Sequence, residues 1–171
     1  QQIGFMTSSS PNIRGNSLYT VVDGSSWNNA ENQSKKIGGH LMTINNAQES
    51  HYVFRKFALD GQGLIQGWGY WVGYSDAERE GFWEWSSGQQ SEFAPNGWKP
   101  GTYGYEPNGN SDYMIIVTRD DTGRTLDEYV ELKGGVDTYL ENGGPGWDDD
   151  NTANFGVAET PFIRRGDSAY V

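Results

Sequence analysis

Tyr70-Trp71-Val72-Gly73-Tyr74 is the stretch that decides the fold. Four large apolar side chains around one glycine are too hydrophobic for an exposed edge, so the segment predicts a short strand running through the core. Downstream, Gly81-Phe82-Trp83-Glu84-Trp85 alternates as a half-buried strand does, and Tyr113-Met114-Ile115-Ile116-Val117 is the most continuous apolar run of the chain, predicting a central strand. Upstream, Asn16 to Val22 is rich in β-branched and aromatic residues and closes on Asp23-Gly24, the signature of a strand and its turn.

Two helices lie between these strands. Ser26 is placed to cap the first; Trp27, Ala30 and Ile37 recur on one face at spacings of three and seven, and Gly38-Gly39 stops it. Leu41 to Ile44 predicts a short strand, after which Asn46-Ala47-Gln48-Glu49 has the spacing of a capping box. The helix it opens carries Tyr52, Val53, Phe54 and Phe57 inward and ends near Asp60-Gly61. Phe155 to Thr160 predicts a closing strand.

Composition bounds the answer. With 171 residues the chain suits one domain, and seven Trp, ten Tyr and seven Phe among 24 glycines predict a core of large rings inside a loop-rich fold. Twelve Lys and Arg oppose 23 Asp and Glu, a net charge of −11, which excludes nucleic acid and anionic membrane surfaces as partners and favours cations. No run is long and apolar enough for membrane insertion. The absence of cysteine removes disulfides and thiolate metal sites from consideration. Only His40 and His51 are present, in segments that read as structural, and no nucleophile has a base at a suitable spacing, so the chain reads as a non-enzyme.

Residues 88–110 read as a long loop without secondary structure, and such a loop in a compact domain is usually functional. Glu106-Pro107-Asn108 stands at its far end. Residues 119–146 read as an insertion punctuated by glycine pairs, and behind it comes Gly146-Trp147-Asp148-Asp149-Asp150-Asn151. Three adjacent carboxylates repel one another unless water screens them or a cation sits between them, and calcium takes six to eight oxygen ligands of the kind these two segments offer. A solvated acidic loop is the plain alternative. One unit of a glycine-rich calcium-binding nonapeptide also fits Gly143 to Asp148, but a lone unit has nothing to stack on.

Residues 1–12 read as a linker, 13–162 as the domain and 163–171 as a tail. Arg165-Gly166-Asp167-Ser168-Ala169-Tyr170-Val171 repeats the pattern of Arg14-Gly15-Asn16-Ser17-Leu18-Tyr19-Thr20, identical at four of the seven positions, so the tail predicts the start of a following repeat.

Taken in order, these landmarks resemble a C-type lectin-like domain of the bacterial or cyanobacterial, cysteine-free kind. Ser26-Trp27-x-x-Ala30 resembles the opening of its first helix, Gly39 to Ile44 the next strand, Tyr70 to Tyr74 its hallmark core motif and Trp83-x-Trp85 the strand after it; Trp98-x-Pro100-Gly101, Glu106-Pro107-Asn108, Trp147-Asp148-Asp149 and Gly156 to Glu159 complete the series. The resemblance implies an α+β, C-type lectin-like fold, with two helices flanking small antiparallel sheets and a long loop region. It implies that Ser34 with Ala158, and Tyr113 with a residue near Thr152, stand where the disulfide-bonded relatives have cysteines. It implies a calcium ion held by Glu106, Asn108, Asp148 and Asp149, with Asp112 substituting for the family's further acidic ligand. Adjacent sugar hydroxyls would complete the shell, and Tyr105, Trp68 and Tyr103 are rim candidates; the Glu-Pro-Asn order implies mannose- or glucose-like sugars. The implied function is calcium-dependent glycan binding by a secreted or cell-surface adhesin. A protein or peptide ligand, or a spacer role, remains as the alternative use of the same fold.

Overall fold

The computed structural model describes residues 12–59, 69–91, 93, 100–101, 104–105, 111–117, 147–149 and 153–162, with side chains described throughout except at 59, 100–101, 104–105 and 147–149. The expectations for residues 1–11, 119–146 and 163–171 lie outside the described residues.

In chain order the elements are β1 (Ile13–Arg14), β2 (Ser17–Asp23), α1 (Trp27–Lys36), β3 (His40–Leu41), α2 (Ala47–Val53), a π-helical extension (Phe54–Leu59), β4 (Gly69–Ser75), β5 (Glu84–Trp85), β6 (Pro100–Gly101), β7 (Gly104–Tyr105), β8 (Tyr113–Val117), β9 (Trp147–Asp149) and β10 (Phe155–Pro161). Most strands join one sheet in the order β1-β2-β10-β4-β8-β9, with β3 added to β10 and β5 to β4, while β6 and β7 pair separately. The fold is α+β, as expected, but the main sheet is mixed. β10 runs antiparallel to β2 along its whole length and parallel to β4 through Phe155 opposite Tyr70 and Gly156 opposite Trp71. Consequently β4 and β10, rather than β8, form the middle of the sheet.

The quoted motif is that middle. Tyr70, Trp71 and Val72 are fully buried, and alternation along β4 sends them to two faces. Tyr70 and Val72 join Met42, Ile44, Phe54, Met114 and Ile116, whereas Trp71 joins Ala30, Leu41, Ile115 and Ala158 beneath α1. Gly73 lies where a Cβ would come within 2.6 Å of the Leu41 carbonyl and 2.9 Å of the Met42 carbonyl, so the strand crosses the preceding segment backbone to backbone. Two indoles fasten the layers: Trp27 Nε1 donates to the Val72 carbonyl at 2.8 Å and Trp71 Nε1 to the Gly24 carbonyl at 3.1 Å. Trp85 is also buried and Trp83 is partly buried against the same core.

Both helix caps form. Ser26 accepts from the Asn29 N–H and Asn46 from the Glu49 N–H. The reciprocal bond of the second cap is displaced by one residue, because Glu49 Oε2 accepts from the Asn45 rather than the Asn46 N–H. Val53, Phe54 and Phe57 are buried as expected and Tyr52 is partly buried.

Four local expectations need correction. Ile37 is 49% exposed, and α1 instead buries Ala30, Glu31 and Ser34. Glu31 can be buried because its carboxylate accepts from the Leu41 N–H at 2.8 Å, meets His40 Nδ1 at 2.8 Å and takes the Ser86 hydroxyl at 3.3 Å. Of the strand expected from Leu41 to Ile44 only Leu41 pairs in a ladder, together with His40 before it, although Met42 to Ile44 are buried. At Gly81 to Trp85 only Glu84 and Trp85 form a strand, because Gly81 turns with φ of +78° and Phe82 is exposed. Finally, the long loop carries a small hairpin, Pro100 opposite Tyr105 and Gly101 opposite Gly104.

Ser34 and Ala158 are fully buried, the Ser34 hydroxyl donating to the Ala30 carbonyl at 2.8 Å. Tyr113 stacks on Trp27 at 5.1 Å between ring centres and meets Trp71 edge-on at 6.2 Å.

Candidate functional site

The site begins with a change of register. β4 and β8 pair regularly from Gly69 opposite Val117 to Trp71 opposite Ile115, then slip, so that Ser75 stands opposite Tyr113. The next residue on each strand is an aspartate. The Asp76 N–H donates to the Asp112 carbonyl at 3.1 Å, holding the turn after β4 against the entry to β8. On the other side of β8, β9 pairs antiparallel with Asp148 opposite Ile115 and Asp149 opposite Met114. The acidic run therefore enters a strand rather than a plain loop, and Asp149 lies across from a residue two positions after Asp112.

Asp76 was not among the residues anticipated. It is 4% exposed; its Oδ2 accepts from the Gly81 N–H at 2.9 Å, and its Oδ1 has no hydrogen-bond partner. A buried carboxylate oxygen left without a donor is costly, and a bound cation is one way to satisfy it. The available sequence signal was an acidic residue immediately after the core strand and five before a glycine, which reads equally well as an ordinary turn.

Backbone pairing thus brings Asp149 near the end of β8 at which Asp112 and Asp76 meet, with Asp148 opposite the middle residue of that strand. Tyr105 belongs to the β6–β7 hairpin. Glu106 and Asn108 lie outside the described residues, as do Trp68 and Tyr103. Among the described residues no three acidic or histidine side chains form a metal-ligating group. The donor chemistry present still fits calcium, since Asp76 offers an unpartnered carboxylate oxygen and Asp112 a half-buried carboxylate with only oxygen donors.

A second polar centre joins β2 and β10 to the segment leading into α2. Tyr19 and the Asn45 N–H both donate to Glu49, and Arg14 lies 4.0 Å from it. Nearby, Glu159 accepts from the Ser17 hydroxyl at 2.6 Å and the Thr43 N–H at 3.1 Å. Burial pushes the Glu159 carboxyl above its ordinary value, outweighing the two hydrogen bonds, and burial with the Glu49 bond pushes the Tyr19 phenol far up. Each of these groups fastens β2 or β10 to the segment around α2, which is a structural task.

Comparison with known proteins bears on the fold and the family. The family described as "Lectin C-type domain" matches residues 23–123, more than half of the chain. The galactose-specific lectin nattectin of Thalassophryne nattereri is 35% identical over 89 residues, 51% of this chain and 52% of its own. Halomucin of Haloquadratum walsbyi is 30% identical over 125 residues, 70% of this chain but 1% of its own. The chain thus spans only about half the length of nattectin, and a far smaller part of halomucin. Among solved structures, human lithostathine superposes with a TM-score of 0.61 at 16% identity, covering 90% of this chain and 98% of its own. On the strength of the matched residues and the shared fold, the chain belongs to the C-type lectin domain family.

Proposed function

We propose that this domain binds glycans through a calcium ion held by Glu106, Asn108, Asp112, Asp148 and Asp149, with Tyr105 at the rim. The observation that carries the reading is the convergence at the end of β8: Asp112 is bonded through its backbone to Asp76, whose buried Oδ1 is unpartnered, and β9 sets Asp149 across from Met114. When bound, calcium supplies a shell that accepts neutral hydroxyl oxygens in exchange for water. The protein's own part is to orient carboxylate and amide oxygens toward the ion and to accept hydrogen bonds from the same hydroxyls.

Mannose- or glucose-type sugars are the favoured ligands on the Glu106-Pro107-Asn108 order, and no catalytic step is assigned. The setting we favour is a secreted or cell-surface adhesin of bacterial type containing tandem copies. The seven-residue repeat at 14–20 and 165–171 supports the tandem arrangement. Among the described residues no helix is long and apolar enough to cross a membrane.

A glycan array probed with calcium and again with chelator tests the reading. Binding to mannose- or glucose-terminated glycans that is lost on chelation, and in both Glu106→Ala and Asp149→Ala, supports it. Calcium binding with no glycan captured would overturn it in favour of a polypeptide ligand or a spacer, and capture of galactose-terminated glycans alone would overturn the sugar assignment.

A further inference from the structure

We infer, given the tandem arrangement proposed above, that successive copies of this domain abut without a spacer, and that the surface around the chain's exit, at Ile37 and Pro161, packs against the next copy and stiffens the joint. The four positions shared by residues 14–20 and 165–171 are those at which the first segment makes its specific contacts. Arg14 lies 4.0 Å from Glu49 and donates to the Asn46 side chain at 3.4 Å, Gly15 turns with φ of +58°, Ser17 donates to Glu159 at 2.6 Å, and the Tyr19 hydroxyl donates to Glu49. Of the three positions that differ, Asn16 and Thr20 are exposed and Leu18 is half-buried. Arg165, Gly166, Ser168 and Tyr170 therefore carry what a following copy needs to fasten its own first strands.

The same correspondence fixes where one copy ends and the next begins. Phe162 still belongs to this copy, its N–H donating to the Asn16 carbonyl at 2.6 Å. Ile163 corresponds to Asn12, whose carbonyl already accepts from the Tyr19 N–H at 2.8 Å. Adjacent residues thus belong to two different copies, and with their Cα atoms about 3.8 Å apart the surfaces around them must touch. Only the main-chain dihedrals of these two residues are left to turn one copy against the other.

The exit is also where an apolar side chain is left uncovered, for Ile37 is exposed at the end of α1. The turn after it lies directly on β10, since a Cβ at Gly39 would come within 2.0 Å of the Glu159 carbonyl and 2.8 Å of Thr160 Cγ2. Gly38 and the exposed Pro161 line one cleft with Asn16. A following copy that starts at Ile163 is the surface near enough to cover Ile37, and a joint closed in this way holds the binding sites of successive copies at a fixed spacing, which sets their avidity for a repeating ligand.

The test is a two-copy protein, residues 1–171 continued directly with residues 21–162 of a second copy, compared with the same protein carrying a flexible Gly-Ser linker after Phe162. Rotational correlation times from ¹⁵N relaxation should be shared by both copies of the direct fusion and at least about 1.5-fold longer than in the linker version, whose copies tumble separately. Ile37→Asp in the first copy alone should shorten that time without lowering the copy's unfolding midpoint, since the side chain is exposed. Tyr170→Phe reads the tandem arrangement by itself: it should lower the denaturant midpoint of one copy only, because Tyr170 there stands where Tyr19 bonds Glu49. No loss with Tyr170→Phe would overturn the tandem arrangement and the joint together. A loss with correlation times equal in the direct and linker versions would overturn the joint alone, and an unchanged time in Ile37→Asp would remove Ile37 from the contact.

Discussion

Asp76 and Asp112 are joined by a backbone hydrogen bond of 3.1 Å where β4 and β8 slip in register. The bond brings a turn carrying a buried, unpartnered carboxylate oxygen to the strand end that β9 approaches from its other side. The calcium site we propose would then depend on the sheet's register as well as on its loops.

Replacing Asp76 tests that relationship. Asp76→Asn keeps an oxygen for the Gly81 N–H but removes the negative charge. Calcium affinity measured by calorimetry should fall by about tenfold or more, a charge-assisted contact being worth about 1.5–3 kcal/mol. Melting in chelator should not fall, because the variant no longer buries an unpaired charge. Unchanged calcium affinity would remove Asp76 from the site.

Gly73 concerns the fold alone. An added Cβ would approach two main-chain carbonyls at 2.6 and 2.9 Å, and neither can move without shifting the Leu41–Met42 segment. Gly73→Ala should therefore destabilise the domain by at least about 1–3 kcal/mol in denaturant titration, the cost of overpacking a filled core. A variant as stable as the parent would mean that the crossing is looser than described.

Much of this was legible from residue type and spacing. The core strand at Tyr70 to Tyr74, the caps at Ser26 and Asn46 and the strand at Tyr113 to Val117 announce themselves because hydrophobic periodicity and cap chemistry are local signals. Ile37 was assigned inward because a helix face drawn from apolar residues passes over Glu31 and Ser34. Their burial depends on partners that come from elsewhere in the chain: His40, Leu41 and Ser86 for Glu31, and the fit of Ser34 under the sheet. Asp76 was missed for the same reason. Its importance comes from a long-range slip between β4 and β8, and nothing in the local residues encodes that.

Glu159 gives the fold a pH dependence with a defined sign. Its carboxyl is held above the ordinary value chiefly by burial, so the folded protein binds this proton more tightly than the unfolded chain does. The associated stability is present at pH below the ordinary carboxylate value and is lost as pH rises through the elevated one. Denaturant titrations of the parent and Glu159→Gln across the acidic range should show the parent losing stability relative to the variant with rising pH. A difference that stays constant with pH would contradict the raised carboxyl.

The most direct test of calcium-bridged glycan recognition is a calorimetric calcium titration, without glycan and then with a saturating array-identified glycan. If sugar hydroxyls complete the ion's shell, each ligand must strengthen the other equally, and calcium should bind at least about fivefold more tightly when the glycan is present. A calcium affinity identical in the two titrations would contradict the bridge.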